Sequence, residues 1–248
     1  MMRHFYIIIF STLLLCSCSD QYRIAGNTSV PMLDGRMLYL KIQSNNNIRN
    51  LDSCEVVHGQ FNFMGMMDSI VMAELYMDNE SVMPLVLENG NLTIRINSGS
   101  QQVLGGSLNE KLYRFIEKKS QLDNDLLELS NKEVRYIMNG EYNAKRREKI
   151  RRESQKCEQK IERLETAFIS ENYDNILGPE VFMLICSRYR YPIMTEQIRQ
   201  IIENAPKKFI MHPFVHNYVR TARLNMLRIK NTPRSLSPSK RSLNCLNH

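Results

Sequence analysis

"CEVVHGQFNFMG", Cys54 to Gly65, decides the fold of the first half of the chain. His58-Gly59 lies between two short β-type runs and supplies a turn residue that tolerates positive φ. Phe61 and Phe63 fall on one face at period two, so the stretch predicts a hairpin that buries both rings. Working outward, further short runs occupy residues 22–25, 37–42, 53–57, 60–64, 70–77, 84–87 and 92–96, each bounded by turn residues. A second hairpin is expected around Asn89-Gly90 in "LENGNLTIRI", and Asn45 to Asn47 reads as a polar hairpin tip. Strands this short and this regularly spaced predict an antiparallel β-sandwich or barrel.

After Gly105-Gly106 the period changes to that of helices. Ser107 with Glu110 three residues on predicts a capping box. Leu108, Leu112, Phe115, Leu122, Leu126 and Leu129 then recur at helical spacing. A second helix is expected over residues 143–171, with Ile150, Cys157, Ile161, Leu164 and Phe168 on one stripe. Its "AKRREKIRRESQKCEQKIERLE" intersperses both signs of charge, the pattern of a solvated face laced with i to i+4 pairs. Pro179, Thr195 and Pro213 mark three more helix starts, and the helical part is expected to end near Lys230. The fold class is therefore α+β: an N-terminal antiparallel β-sandwich or barrel over residues 22–106, then an all-α helical connector over residues 107–230. Residues 231–248, with two prolines and five serines or threonines, are not expected to pack.

The chain opens with Arg3 and an apolar run over residues 5–15, relieved only by Ser11 and Thr12. Eleven residues as a helix span too little to cross a bilayer core of about 30 Å, so residues 1–17 read as a signal peptide. Leu15-Cys16-Ser17-Cys18 resembles a bacterial lipobox, which implies acylation of Cys18 and residues 18–21 as a lipidated N-terminus. The partner implied is the membrane, reached through a lipid anchor. Ser19 and Asp20 resemble the start of a surface-export signal, with one acidic residue only.

Cys54, Cys157, Cys186 and Cys245 remain beyond Cys16 and Cys18, and none forms a C-x-x-C pair. Cys157 and Cys186 fall in apolar helical patterns and are expected to act as small buried hydrophobes. The net charge is +7, and from Pro206 onward there are nine basic residues and no acidic one. Without interleaved aromatics or a groove-binding motif this predicts no nucleic-acid partner but a solvated basic end that can touch anionic head groups. His212 and His216, four apart, could offer two imidazoles on one helix face, yet no third ligand is near in sequence, and no metal or other cofactor is assigned. Asp52-Ser53 is expected to be an Asx-type turn entering a strand rather than part of a hydrolase. No catalytic residue is assigned, and no Gly-rich phosphate loop, dinucleotide fingerprint or H-E-x-x-H is present.

"YRIAGNTSVPMLDGRMLYLKI", "LDSCEVVHGQFNFMG", "PLVLENGNLTIRI" and "VLGGSLNEKLYRF" together resemble the domain of unknown function 4369 of Bacteroidetes lipoproteins, over about residues 22 to 115. In many such proteins a helical connector leads into a thioredoxin-like domain with a Trp-Cys-x-x-Cys site. This sequence has no Trp and no Cys-x-x-Cys, so redox activity does not carry over. The expected function is a non-catalytic, membrane-anchored binding module of the cell envelope, outer-membrane resident, with an envelope protein as partner. The sandwich would present an open face or edge, and the helices would set its distance from the lipid. The alternative is an accessory or truncated relative of a thioredoxin-like thiol-disulfide oxidoreductase.

Overall fold

The computed structural model describes residues 20–44 and 47–231. Cys18, Cys245 and the hairpin-tip residues Asn45 and Asn46 lie outside the described residues, as do residues 1–17 and 232–248. The chain divides into two compact units, Met1–Asp125 and Leu126–His248.

Among the described residues the first unit holds eight strands: β1 (Asp20–Thr28), β2 (Met37–Ser44), β3 (Asn47–Glu55), β4 (Gln60–Met67), β5 (Val71–Met77), β6 (Glu80–Leu87), β7 (Gly90–Asn97) and β8 (Ser100–Leu104). They form two open four-stranded sheets, β4-β1-β7-β8 and β3-β2-β5-β6, so the architecture is a sandwich and not a barrel. One continuous core fills it, with Ile24, Leu38, Leu40, Phe61, Phe63, Leu75, Leu85, Leu92 and Ile94 at its centre. Burial of a side chain of this size contributes about 1.5–3 kcal/mol.

The hairpin forms as its sequence predicts. Both turn residues take positive φ, His58 at 52° and Gly59 at 72°. Phe61 and Phe63 are buried and meet edge to face at 6.1 Å. Ser44 pairs with Asn47, so the β2–β3 hairpin forms, with Asn47, expected in its tip, already paired at the start of β3.

The hairpin expected at Asn89-Gly90 does not form. β6 and β7 belong to different sheets, and the two residues turn a corner between them. β7 instead pairs in parallel with β1, Ile24 opposite Leu92, the one parallel pairing among the described strands. The physical reason lies at the edge of β6, where Val86 already exchanges hydrogen bonds with a side chain of the following helix. β8 escaped the sequence pattern because its polar Ser100, Gln101 and Gln102 are exposed at a sheet edge and need no apolar alternation. Asp52 and Ser53 lie inside β3, not at its entrance. Leu51 is bulged out opposite the Leu40–Lys41 step, and the Asp52 carboxylate accepts from Ser53 N at 2.7 Å.

Six helices follow among the described residues: α1 (Ser107–Met138), α2 (Ala144–Glu171), α3 (Leu177–Cys186), α4 (Glu196–Asn204), α5 (Lys207–Ile210) and α6 (Pro213–Asn231). The first turns of α1 belong to the first unit, where Leu108, Leu112 and Phe115 are buried. In the second unit the stripe of α2 buries Ile150, Cys157, Ile161 and Phe168, while Leu164 is half-buried. Asn143 caps this helix by accepting from Arg146 N at 3.0 Å. Glu148 bridges Arg151 and Arg152 at 2.8 and 2.7 Å on the solvated face, the i to i+3 and i to i+4 pairing expected of that charge run. Thr195 caps α4 through Ile198 N at 3.2 Å. Phe209 joins Tyr173 at 4.7 Å and Phe182 at 5.7 Å, which anchors the short α5 that no sequence period announced.

Candidate functional site

The first turns of α1 close the sandwich along the edge of β6. Pro84 lies in that strand, a residue tolerated where no ladder donor is needed. Asn109 replaces the missing neighbour strand: its side-chain oxygen accepts from Val86 N at 2.9 Å, and its amide donates to Val86 O at 2.7 Å. Tyr113 OH donates to Pro84 O at 2.7 Å, and burial pushes its phenol well above the ordinary range. Val86 N, Val86 O and Pro84 O thus receive partners from the helix, as burial of main-chain groups requires.

The helix start is held in return by Glu88. Its carboxylate accepts from Leu108 N at 3.1 Å and from Asn109 N at 3.0 Å, and it takes a further bond from the Asn109 amide at 3.0 Å. A carboxylate at the positive end of a helix satisfies orphan donors and the helix dipole together. This corrects the predicted capping box, because Ser107 is already inside the helix and the cap comes from a strand turn 19 residues earlier. Gly106 makes room for it. At φ 79° a side chain there is strained, and an added Cβ would lie 2.2 Å from Glu88 Oε1.

Beside this closure runs a groove of about 810 Å³ between β8 and α1. All six residues from Gly99 to Leu104 line one side, which a strand can do only edge-on because its side chains alternate between faces. Glu110, Tyr113, Arg114, Glu117 and Gln121 of α1 line the other. β8 is bonded to β7 on one flank and, among the described residues, to no strand on the other. Such an edge offers a row of main-chain donors and acceptors to an extended segment.

The residues singled out by sequence do not converge. His212 directly precedes α6, its carbonyl accepting from His216 N at 2.9 Å. Its ring meets Phe214 edge to face at 5.5 Å, and burial lowers its basicity while Nδ1 has no partner. His216 is exposed, and among the described residues no three His, Cys, Asp or Glu side chains gather as metal ligands would. Cys157 and Cys186 are both buried, as their helical pattern predicts. Burial pushes the Cys186 thiol up to about 12 and the Cys54 thiol up to about 11, far from the acidity of a reactive nucleophile. Glu165 is fully buried beneath Arg188, which pairs with both carboxylate oxygens, and Gln197 donates to it at 3.4 Å. That cluster ties α2 to the turn after α3 and to α4.

Residues 22–113 match the family model of DUF4369, a domain of unknown function. The matched stretch spans the strands from Tyr22 onward and the helix start as far as Tyr113, so Glu88, Asn109 and the whole of β8 fall within it. No curated protein matches the chain. Sequence reasoning located Glu88 and Asn109 only as members of turn and helix-entry motifs. No local pattern announced that they bond to each other, since their signal is a contact across 21 residues.

Proposed function

We propose that the protein is a non-catalytic interaction module of the cell envelope, tethered at the outer membrane through acylated Cys18, and that it takes an extended polypeptide segment as an added strand along β8. The observation that carries this reading is the edge-on exposure of β8 in a groove of about 810 Å³, a volume within the range of binding clefts. The lining is mixed: Gln101, Gln102, Glu117 and Gln121 offer polar contacts beside the edge, while Pro84, Leu104 and Ile116 offer apolar ones to alternate side chains of an added strand. An added strand gains most of its affinity from ladder hydrogen bonds, with side-chain pockets giving selectivity. The lipobox-like Leu15 to Cys18 supports the tether. The raised Cys54 and Cys186 thiols lend no support to thiol exchange.

The test is selection of linear peptides from a random library on the full acylated chain in detergent micelles, followed by amide exchange with the selected peptide bound. Protection is expected at residues 100–104, and Gln101→Pro together with Gln102→Pro should abolish it, since one of the two consecutive N–H groups points to the open edge and both prolines bend the strand. Peptides that protect other residues, or binding that survives both prolines, would refute the assignment.

A further inference from the structure

We infer that the sandwich rests directly on the lipid surface through an apolar rim of Met64, Met66 and Ile70, an inference that stands on the reading of Cys18 as the anchor. β1 begins at Asp20, two peptide units after Cys18, so covalent geometry alone keeps the two Cα atoms within about 8 Å. Register then fixes which residues share that end of the sheet: Asp20 is opposite Met67, Gln21 opposite Met66 and Arg23 opposite Met64, and the turn that follows carries Ile70.

The solvent face of β4 changes character along its length. Phe61 and Phe63 point into the core, and the outward positions between and beyond them are Gln60, Asn62, Met64 and Met66. Gln60 and Asn62 pair with Asn27 and Ala25, away from the Cys18 end, and are polar. Met64 and Met66, toward that end, are 66% and 72% exposed, and Ile70 is 50% exposed. A face that meets lipid at one end accounts for this switch from amide to thioether along one strand. Methionine's unbranched, polarizable side chain suits a disordered apolar phase. Exposed Arg23 stands opposite Met64 on the same face, at the level where a guanidinium meets head-group phosphate. Exposed Asp68 is also at this end, which sets the contact at head-group depth and not within the acyl interior.

The experiment is peroxide footprinting of methionines on the full acylated chain in phosphatidylethanolamine and phosphatidylglycerol vesicles, with the acyl mass on Cys18 read from the same digest. Met32 is the internal reference: it is 83% exposed in the 3-10 turn Pro31–Leu33, beyond the far end of a nine-residue strand about 30 Å long. Met64 and Met66 are expected to oxidise about tenfold more slowly than Met32, where exposure alone predicts nearly equal rates. An acylated Cys18 with Met64 and Met66 oxidising like Met32 overturns the rim and leaves the anchor standing. A digest with no acyl mass on Cys18 overturns the anchor and the rim with it.

Discussion

Replacing Asn109 by Leu keeps the side-chain volume nearly constant and removes only its hydrogen bonding. In the native chain Asn109 is fully buried and serves Val86 N, Val86 O and Glu88 Oε1 at 2.9, 2.7 and 3.0 Å. Leucine leaves both main-chain groups of Val86 without partners in a dry site, at about 1–3 kcal/mol each. Burying the extra apolar surface returns about 1 kcal/mol, so the expected net loss is about 3 kcal/mol. For a unit of this size that corresponds to a urea midpoint lower by about 2 M. Far-UV dichroism on the Asn109→Leu chain measures the midpoint, and amide exchange of peptides covering β6 and the start of α1 localises the change to the first unit. An unchanged or raised midpoint would show that the Asn109 bonds are dispensable and refute the account of how α1 closes the sandwich.

Gly106→Ala should cost about 2–3 kcal/mol by adding left-handed strain and displacing the Glu88 carboxylate, whereas Gly90→Ala, which meets nothing within 4 Å, should cost about 1 kcal/mol; differential scanning of both variants compares them. The Cys54 and Cys186 thiols are held at about 11 and about 12 when folded, above their unfolded range near 8.5. Stability from these groups is therefore full below pH 8.5 and is lost as pH rises, because the unfolded chain releases protons that the native state keeps. The melting temperature should fall between pH 9 and 11 by less in a Cys54→Ala, Cys186→Ala chain, and an identical fall in both would contradict this. Arg188→Met should lower the stability of the second unit by about 3 kcal/mol by leaving buried Glu165 unpaired, and a second change, Glu165→Leu, should restore much of it, as urea titration of single and double variants would reveal.

Local patterns carried far in this chain. The Phe61 and Phe63 alternation, the His58-Gly59 turn, the stripe of α2 and the Thr195 cap are all written in residues within one turn or one strand of each other. Failures came where a residue's partner is distant in sequence. Asn89-Gly90 has hairpin chemistry, yet β6 already has its edge filled by Asn109 and cannot pair with β7. Ser107 and Glu110 have capping-box spacing, yet Glu88 occupies the helix start.

By itself the sequence determined the strands and helices other than β8 and α5, and which faces of them are apolar, because side-chain period and turn chemistry act over a few residues. Tertiary structure alone decided that β7 runs parallel to β1, that one strand edge is covered by a helix while β8 stays open, and that two methionines gather at the Cys18 end of the sheet. Those choices turn on which buried main-chain groups find partners across tens of residues, a requirement that local pattern does not encode.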